Sequence, residues 1–375
     1  MNLQRSSLAC HVLLILLTSV SLSLAQSSAG LPPNVIEKIE RVITAEMTRQ
    51  NIPGLSIAVV TDHRMRWSNG YGMSDIENFV PAKASTVYRL GSISKPITAV
   101  AVMQLAEEGR LDLDAPIQTY VPGFPRKPWP ISARLLLSHT SGIRHYRGDE
   151  INITRQYDTL AAGLEIFKAD SLLFQPGTRY SYSTYGYNLL GVAVEGASGL
   201  FFAEYLRKHL FRPAGMDHIR TDNMYEIIYN RAQGYRKLQN GELRNSDPAN
   251  TSYKIPGGGL CSTVEDLAKF AIAVQIESLV KRETLVRMFS PQKISDGRVI
   301  RVNPQAPERS YGLGWFIAEY KGEKEVYHSG GQQRITTMLY MQPGKKFAVV
   351  IMSNLENAGL FGVARQVSDI VLSRP

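Results

Sequence analysis

Gly91-Ser92-Ile93-Ser94-Lys95-Pro96 sets a serine hydroxyl and a lysine amine three positions apart at the start of an apolar helical repeat. Residues i and i+3 share a helix face, so Oγ of Ser92 and Nζ of Lys95 can meet. A serine beside an amine able to take its proton is an activated nucleophile. The same spacing recurs at Ser278/Lys281 and Ser290/Lys293, so context must decide. Before Ser92 comes a short extended run, Thr86 to Leu90, with Gly91 as its turn. After it, Ile93, Ile97, Val100, Ala101 and Leu105 recur at helical spacing, and Gly109 ends the helix. Pro96 is tolerated in a first turn, where its missing N–H has no helical partner. Ser92 therefore reads as lying at a helix N-terminus, whose free amides favour developing negative charge. Ser278/Lys281 falls in one amphipathic helical run from Val264 to Met288, and Ser290 precedes a proline that disfavours helix.

Residues 1–25 read as an export signal, with Arg5 as the positive region and Val12 to Leu17 as the apolar core. Ser23-Leu24-Ala25 supplies a cleavage site. The expected location is secreted or periplasmic, with the membrane reached only through an uncleaved signal. Cys10 lies before the apolar core, which leaves Cys261 as the sole cysteine of the mature chain and excludes an intrachain disulfide. About 350 remaining residues suffice for a large core. The net charge of +9 is spread along the chain without a basic block, which gives nucleic-acid binding no support. No phosphate loop, dinucleotide fingerprint or metal-ligand spacing occurs in the sequence, so no cofactor and no metal are expected.

The domain from 26 to 375 reads as helix, strands, long helical insert, strands, helix. The amphipathic opening helix spans Asn34 to Gln50, with Val35, Ile39, Val42, Ile43 and Met47 on one face. Strands follow at Gly54 to Val60 and Met65 to Tyr71 about an Asp62-His63 turn. Near the end, Ile335 to Met341 and Phe347 to Ser353 flank Pro343-Gly344, and a helix from Leu360 to Leu372 closes the chain. This order predicts an α/β (α+β) architecture. An antiparallel sheet from 33–107 and 300–375 is flanked by the terminal helices, beside a mostly helical lobe over 108–255. The active site would lie between the lobes.

The chain resembles the serine β-lactamases and penicillin-binding proteins, whose first signature is Ser-x-x-Lys. The class C-type landmarks are Leu136-Leu137-Ser138-His139-Thr140-Ser141-Gly142, Pro176-Gly177, Gly186 to Gly191 and Tyr311-Gly312-Leu313-Gly314-Trp315. Ser141 to Tyr146, Tyr182-Ser183-Thr184 and Gly257-Gly258-Gly259-Leu260-Cys261-Ser262-Thr263 look most like the mitochondrial β-lactamase-like serine proteases (LACTB-type). The resemblance runs from Ile52 to Asn354.

The second signature of that superfamily, Tyr-x-Asn, is absent, and Tyr182-Ser183-Thr184 stands in its place. By resemblance Tyr182 shuttles a proton to the leaving group. Thr184 would meet substrate with a hydroxyl in place of an amide. Lys-Thr-Gly, the third signature, appears as His328-Ser329-Gly330-Gly331, with Ser329 and Gly330 beside the substrate. A histidine there carries charge only below about pH 6.5. The resemblance places the oxyanion hole at the amides of Ser92 and Gly331. His139 and His145 read as ordinary hydrogen-bonded histidines, and Tyr180, Tyr185 and Tyr187 as packing aromatics. Arg334, three residues past the double glycine, would reach the cleft mouth and hold a substrate carboxylate bidentately.

For Lys95 to act as base its pKa must fall by about 3 units, roughly 4 kcal/mol, through burial and partial charge from His328. Otherwise Tyr182 as phenolate takes over, and the residues alone do not choose between them. The function expected is an exported serine hydrolase that forms an acyl-enzyme on Ser92. The resemblance implies a small-molecule or peptide substrate, such as D-amino-acid cell-wall peptides. A class C-like β-lactamase or an esterase would use the same residues, although a Glu-x-x-Leu-Asn deacylation motif is absent. A non-catalytic ligand sensor on this fold would have lost Ser92, Lys95 or Tyr182, and all three are present.

Overall fold

The computed structural model describes residues 30–373 apart from 304 and 307; the export signal read over 1–25 lies outside the described residues. Its longer helices are α1 (Pro33–Gln50), α2 (Ser94–Glu107), α3 (Thr184–Ser198), α4 (Val264–Gln275) and α5 (Leu360–Leu372). The N-terminal part supplies strands β1 (Gly54–Thr61), β2 (Arg64–Asp75) and β3 (Val80–Pro81). The C-terminal part adds β4 (Ser310–Tyr311), β5 (Phe316–Tyr320), β6 (Glu323–Gln332), β7 (Ile335–Gln342) and β8 (Phe347–Ser353). Together they make one sheet in the order β3-β2-β1-β8-β7-β6-β5-β4.

Every pairing in that sheet is antiparallel. The two chain ends meet at its centre, where β1 pairs with β8 from Leu55↔Ser353 to Thr61↔Phe347. Asp62 and His63, which turn β1 into β2, both have positive φ, 50° and 58°. That backbone carries the right-handed twist a two-residue hairpin needs.

Both faces of the central strands are covered, so they read as unbroken apolar runs. Leu55, Ile57 and Val59 of β1, with Phe347, Val349 and Ile351 of β8, pack on Ile39 and Ile43 of α1 and Val363 and Val367 of α5. The alternate residues Ala58, Val60, Ala348, Val350 and Met352 join the core shared with α2, α3 and α4. Each fully buried isoleucine or valine there contributes about 1.5–3 kcal/mol over exposure.

Two local readings change. The run from Val264 to Met288 is two helices, α4 and a short one over Arg282–Met288. Glu277 breaks it with φ 63°, and the Ser278 hydroxyl donates back to the Ala273 carbonyl. Ser278 and Lys281 therefore do not share a helix face. The extended run before the nucleophile shortens to Tyr88–Arg89, which pairs with Leu260–Ser262.

Candidate active site

Ser92 occupies a single 3-10 turn, Gly91–Ile93, that continues directly into α2. Gly91 has φ +53°, and a Cβ on it would also lie 3.1 Å from the Gly331 nitrogen. Glycine is thus required by backbone angle and by the close approach of β6. From Ser94 to Met103, α2 is buried on every side, so it is a central helix rather than an amphipathic one.

Lys95 is wholly buried, and its Nζ lies 3.1 Å from Ser92 Oγ, 3.2 Å from Thr184 Oγ1 and 2.6 Å from the Gly257 carbonyl. No carboxylate forms an ion pair with it among the described residues. Burial, then the charge of Lys254, hold Lys95 well below the usual lysine range. A neutral amine has two donors and one lone pair. Donating to Gly257 and Thr184 leaves the lone pair facing the Ser92 hydroxyl.

The Tyr182 ring lies beneath Lys95 Nζ, 4.8 Å from its centroid, and its hydroxyl is close enough to Ser92 to feel it. Burial raises the Tyr182 phenol far above its ordinary range despite the neighbouring serine. It is a proton donor at neutral pH, not a phenolate. His328 is pushed down to about 3 by burial and then by the charge of Lys95. Its Nδ1 contacts the Ser329 carbonyl at 2.7 Å and its Nε2 lies 3.2 Å from the Tyr311 hydroxyl. The neutral tautomer with the proton on Nδ1 satisfies both. The expectation that His328 charges near pH 6.5 and helps neutralise Lys95 is therefore corrected: burial and Lys254 do that.

The remaining expected contacts divide. Gly331 reaches the nucleophile turn, and a Cβ on it would meet nothing within 4 Å. Gly330 abuts the scaffold instead, because a Cβ there would lie 2.0 Å from the Leu90 carbonyl oxygen. Its role is to let β6 press against the nucleophile turn. Ser329 alternates with His328 along β6 and is exposed where His328 is buried. It lines a surface hollow with Tyr327 and Phe361, on the α5 side of the strand. Thr184 is 2 % exposed and holds Lys95, which leaves it no open face toward substrate.

Arg334 does not reach the cleft mouth. It sits in the β6–β7 turn with φ 80°, stacked on Gly234, where a Cβ would lie 2.1 Å from the arginine Cβ. Half-buried, it faces Arg89, Asp222 and Arg231.

The family profile described as Beta-lactamase matches residues 39–370. The chain belongs to the β-lactamase family. Within it, the human mitochondrial serine β-lactamase-like protein LACTB is 28% identical, over 84% of this chain and 76% of the relative. Protein flp of Staphylococcus aureus is 27% identical over 86% of this chain and 63% of its own length. Among solved structures, the octameric penicillin-binding protein homologue of Pyrococcus abyssi is 28% identical, with a TM-score of 0.78 over 90% of this chain and 77% of that one. A D-stereospecific amidohydrolase of Streptomyces sp. shares the fold, with a TM-score of 0.75 at 22% identity over 90% and 98% of the two chains. The protein is thus a serine β-lactamase-like hydrolase by family.

Several residues at this family site have positions that the sequence did not show. Gly257 was legible only as part of a glycine triplet; a Cβ on it would lie 2.5 Å from Thr184 Cγ2. His139 accepts the Ser183 amide through Nδ1 at 3.1 Å, and His145 accepts the Thr184 amide at 3.2 Å. Both hold the start of α3 in place. His145 matches the expected ordinary bonding, whereas the buried His139 Nε2 has no hydrogen-bond partner among the described residues; neither ring is charged at neutral pH, His145 lying at about 4 through burial and then the charges of Lys95 and Lys254. Lys254 left no signal in the sequence at all.

Proposed function

We propose that this protein is an exported serine hydrolase that acylates Ser92 with Lys95 as the general base. The observation that carries the reading is the Lys95 amine, buried without a carboxylate partner and 3.1 Å from the Ser92 hydroxyl. In the first step Ser92 Oγ bonds to the substrate carbonyl carbon and its proton passes to Nζ of Lys95. The amides of Ser92 and Gly331 hold the oxyanion, a term that typically supplies several kcal/mol. The bond to the leaving nitrogen or oxygen then breaks, and Tyr182, a phenol beside Ser92, relays a proton to it. Water attacks the resulting ester and returns Ser92.

Peptides and amides, including D-amino-acid peptides, are the substrate class we favour. A β-lactamase reading asks for a cation near the substrate carboxylate, and His328 is neutral. Esters would react by the same route.

The test is mass spectrometry of wild type and Ser92→Ala after a fluorophosphonate, followed by rates on a D-alanyl peptide, an activated ester and penicillin G. The expected result is one adduct on Ser92, none in the variant, and turnover of peptide or ester with slow release of penicilloyl enzyme. An unlabelled Ser92 would overturn the reading.

A further inference from the structure

The active site holds a second buried lysine on a different element from the first. Lys254 ends the short 3-10 turn Ser252–Lys254, three residues before the carbonyl that accepts from Lys95. It is 1 % exposed, and its Nζ lies 5.2 Å from the ring centroids of both Tyr146 and Tyr253. No hydrogen bond or ion pair binds that amine among the described residues, although an ammonium brings three donors.

The sheath connects it to the base. The His145 ring lies 4.2 Å from the Tyr146 ring and 5.5 Å from the Tyr182 ring, and Lys95 Nζ stands over Tyr182 at 4.8 Å. Tyr146, His145 and Tyr182 therefore form a continuous ring path between the two amines. Tyr253 is fixed at its far end by donating to the Glu150 carbonyl at 2.8 Å. The Glu150 carboxylate is itself engaged by Arg144. On the opposite side stand Arg89 and Asp222, paired with each other at 2.7 Å. The groups facing Lys254 are thus Lys95, His145, Tyr146, Tyr253, Arg89 and Asp222, and Asp222, the one carboxylate of the set, is already paired with Arg89 and Arg231.

We propose that Lys254 is a positioning residue that supplies the active-site cation on the Tyr146 side of Lys95, in place of the neutral His328 on β6. Like charges brought together in a dry site oppose each other's protonation. An ammonium at Lys254 therefore keeps the Lys95 lone pair available to Ser92 in mildly acid solution. Burial and Arg89 bring Lys254 itself down to about 7. Its charge accordingly appears as the pH falls toward the range where Lys95 would otherwise be lost as a base. The inference rests on the acyl-enzyme reading above.

The experiment measures the rate of fluorophosphonate labelling at Ser92 from pH 5 to 10 in wild type, Lys254→Met and Lys254→Arg, with the adduct located by mass spectrometry. Lys254→Met should move the acid limb upward by at least about half a pH unit, a drop of about threefold at pH 6. At pH 9.5 its rate should stay within about twofold of wild type, where Lys95 is neutral in both. Lys254→Arg, a permanent cation, should keep the limb at or below its wild-type position. Lys254→Gln takes the place of the Met variant if that fails to fold, with the same displacement required.

A limb unmoved in the uncharged variant, or an equal loss at every pH in all variants, would reduce Lys254 to packing and overturn the inference. An unlabelled wild-type Ser92 would overturn the acyl-enzyme reading and this inference together; a labelled Ser92 with an unmoved limb overturns this inference alone.

Discussion

Lys254→Met should stabilise the protein, by an amount that shrinks as pH rises. The folded protein binds the Lys254 proton less readily than the unfolded chain, at about 7 against 10.5. A lowered lysine costs its full stability below the folded value and nothing above the unfolded one, because between them the unfolded chain binds more protons. The wild type therefore gains stability as pH climbs from about 7 to 10.5, and the Met variant lacks that gain. At 1.36 kcal/mol per pH unit, the span corresponds to about 5 kcal/mol at acid pH. The faces of Tyr146 and Tyr253 favour the ammonium by roughly 0.5–2 kcal/mol and trim that figure. The advantage of the variant over wild type should thus fall by about 1–3 kcal/mol between pH 6 and 9.5. Lys95 is present in both proteins, so its own titration largely cancels. Urea unfolding of the two proteins at pH 6, 7.5 and 9.5 reads the difference directly. An advantage constant to within about 0.5 kcal/mol would show that Lys254 titrates as it does in water, and the dry sheath described above would be wrong.

Gly330→Ala should cost more than tenfold in labelling of Ser92 together with a lower Tm, because the new Cβ must displace the Leu90 carbonyl 2.0 Å away. Matching rates and Tm for the two proteins would contradict the packing of β6 on the nucleophile turn. His328→Gln should leave the acid limb of kcat/KM in place, since His328 is held down at about 3 and stays neutral through the working range. A limb that moves in this variant would assign the titration to histidine after all. Arg334→Ala should change KM for a carboxylate-terminated peptide and its amide by the same factor, because its side chain faces Arg89, Asp222 and Arg231. A selective effect on the carboxylate would return it to substrate binding.

The proposed nucleophile and base were legible in sequence because their geometry is local. Ser92 and Lys95 are three residues apart, and the apolar repeat after them has helical spacing. The same holds for the terminal helices and for the hairpins about Asp62-His63 and Pro343-Gly344, whose turn residues carry their own backbone preference. What the sequence by itself determined was therefore the family, the order of elements and the pair proposed to start the chemistry. Charge state, by contrast, depends on what the fold places around each group. His328, read as a histidine titrating near pH 6.5, is silenced by burial that no property of residue 328 announces. The same burial favours Lys95 over Tyr182 as the proposed base, lowering the amine and raising the phenol, because removing water disfavours whichever form carries charge. Thr184, Gly257 and Lys254 are 89, 162 and 159 positions from Lys95, and only the tertiary structure gathers them around one amine.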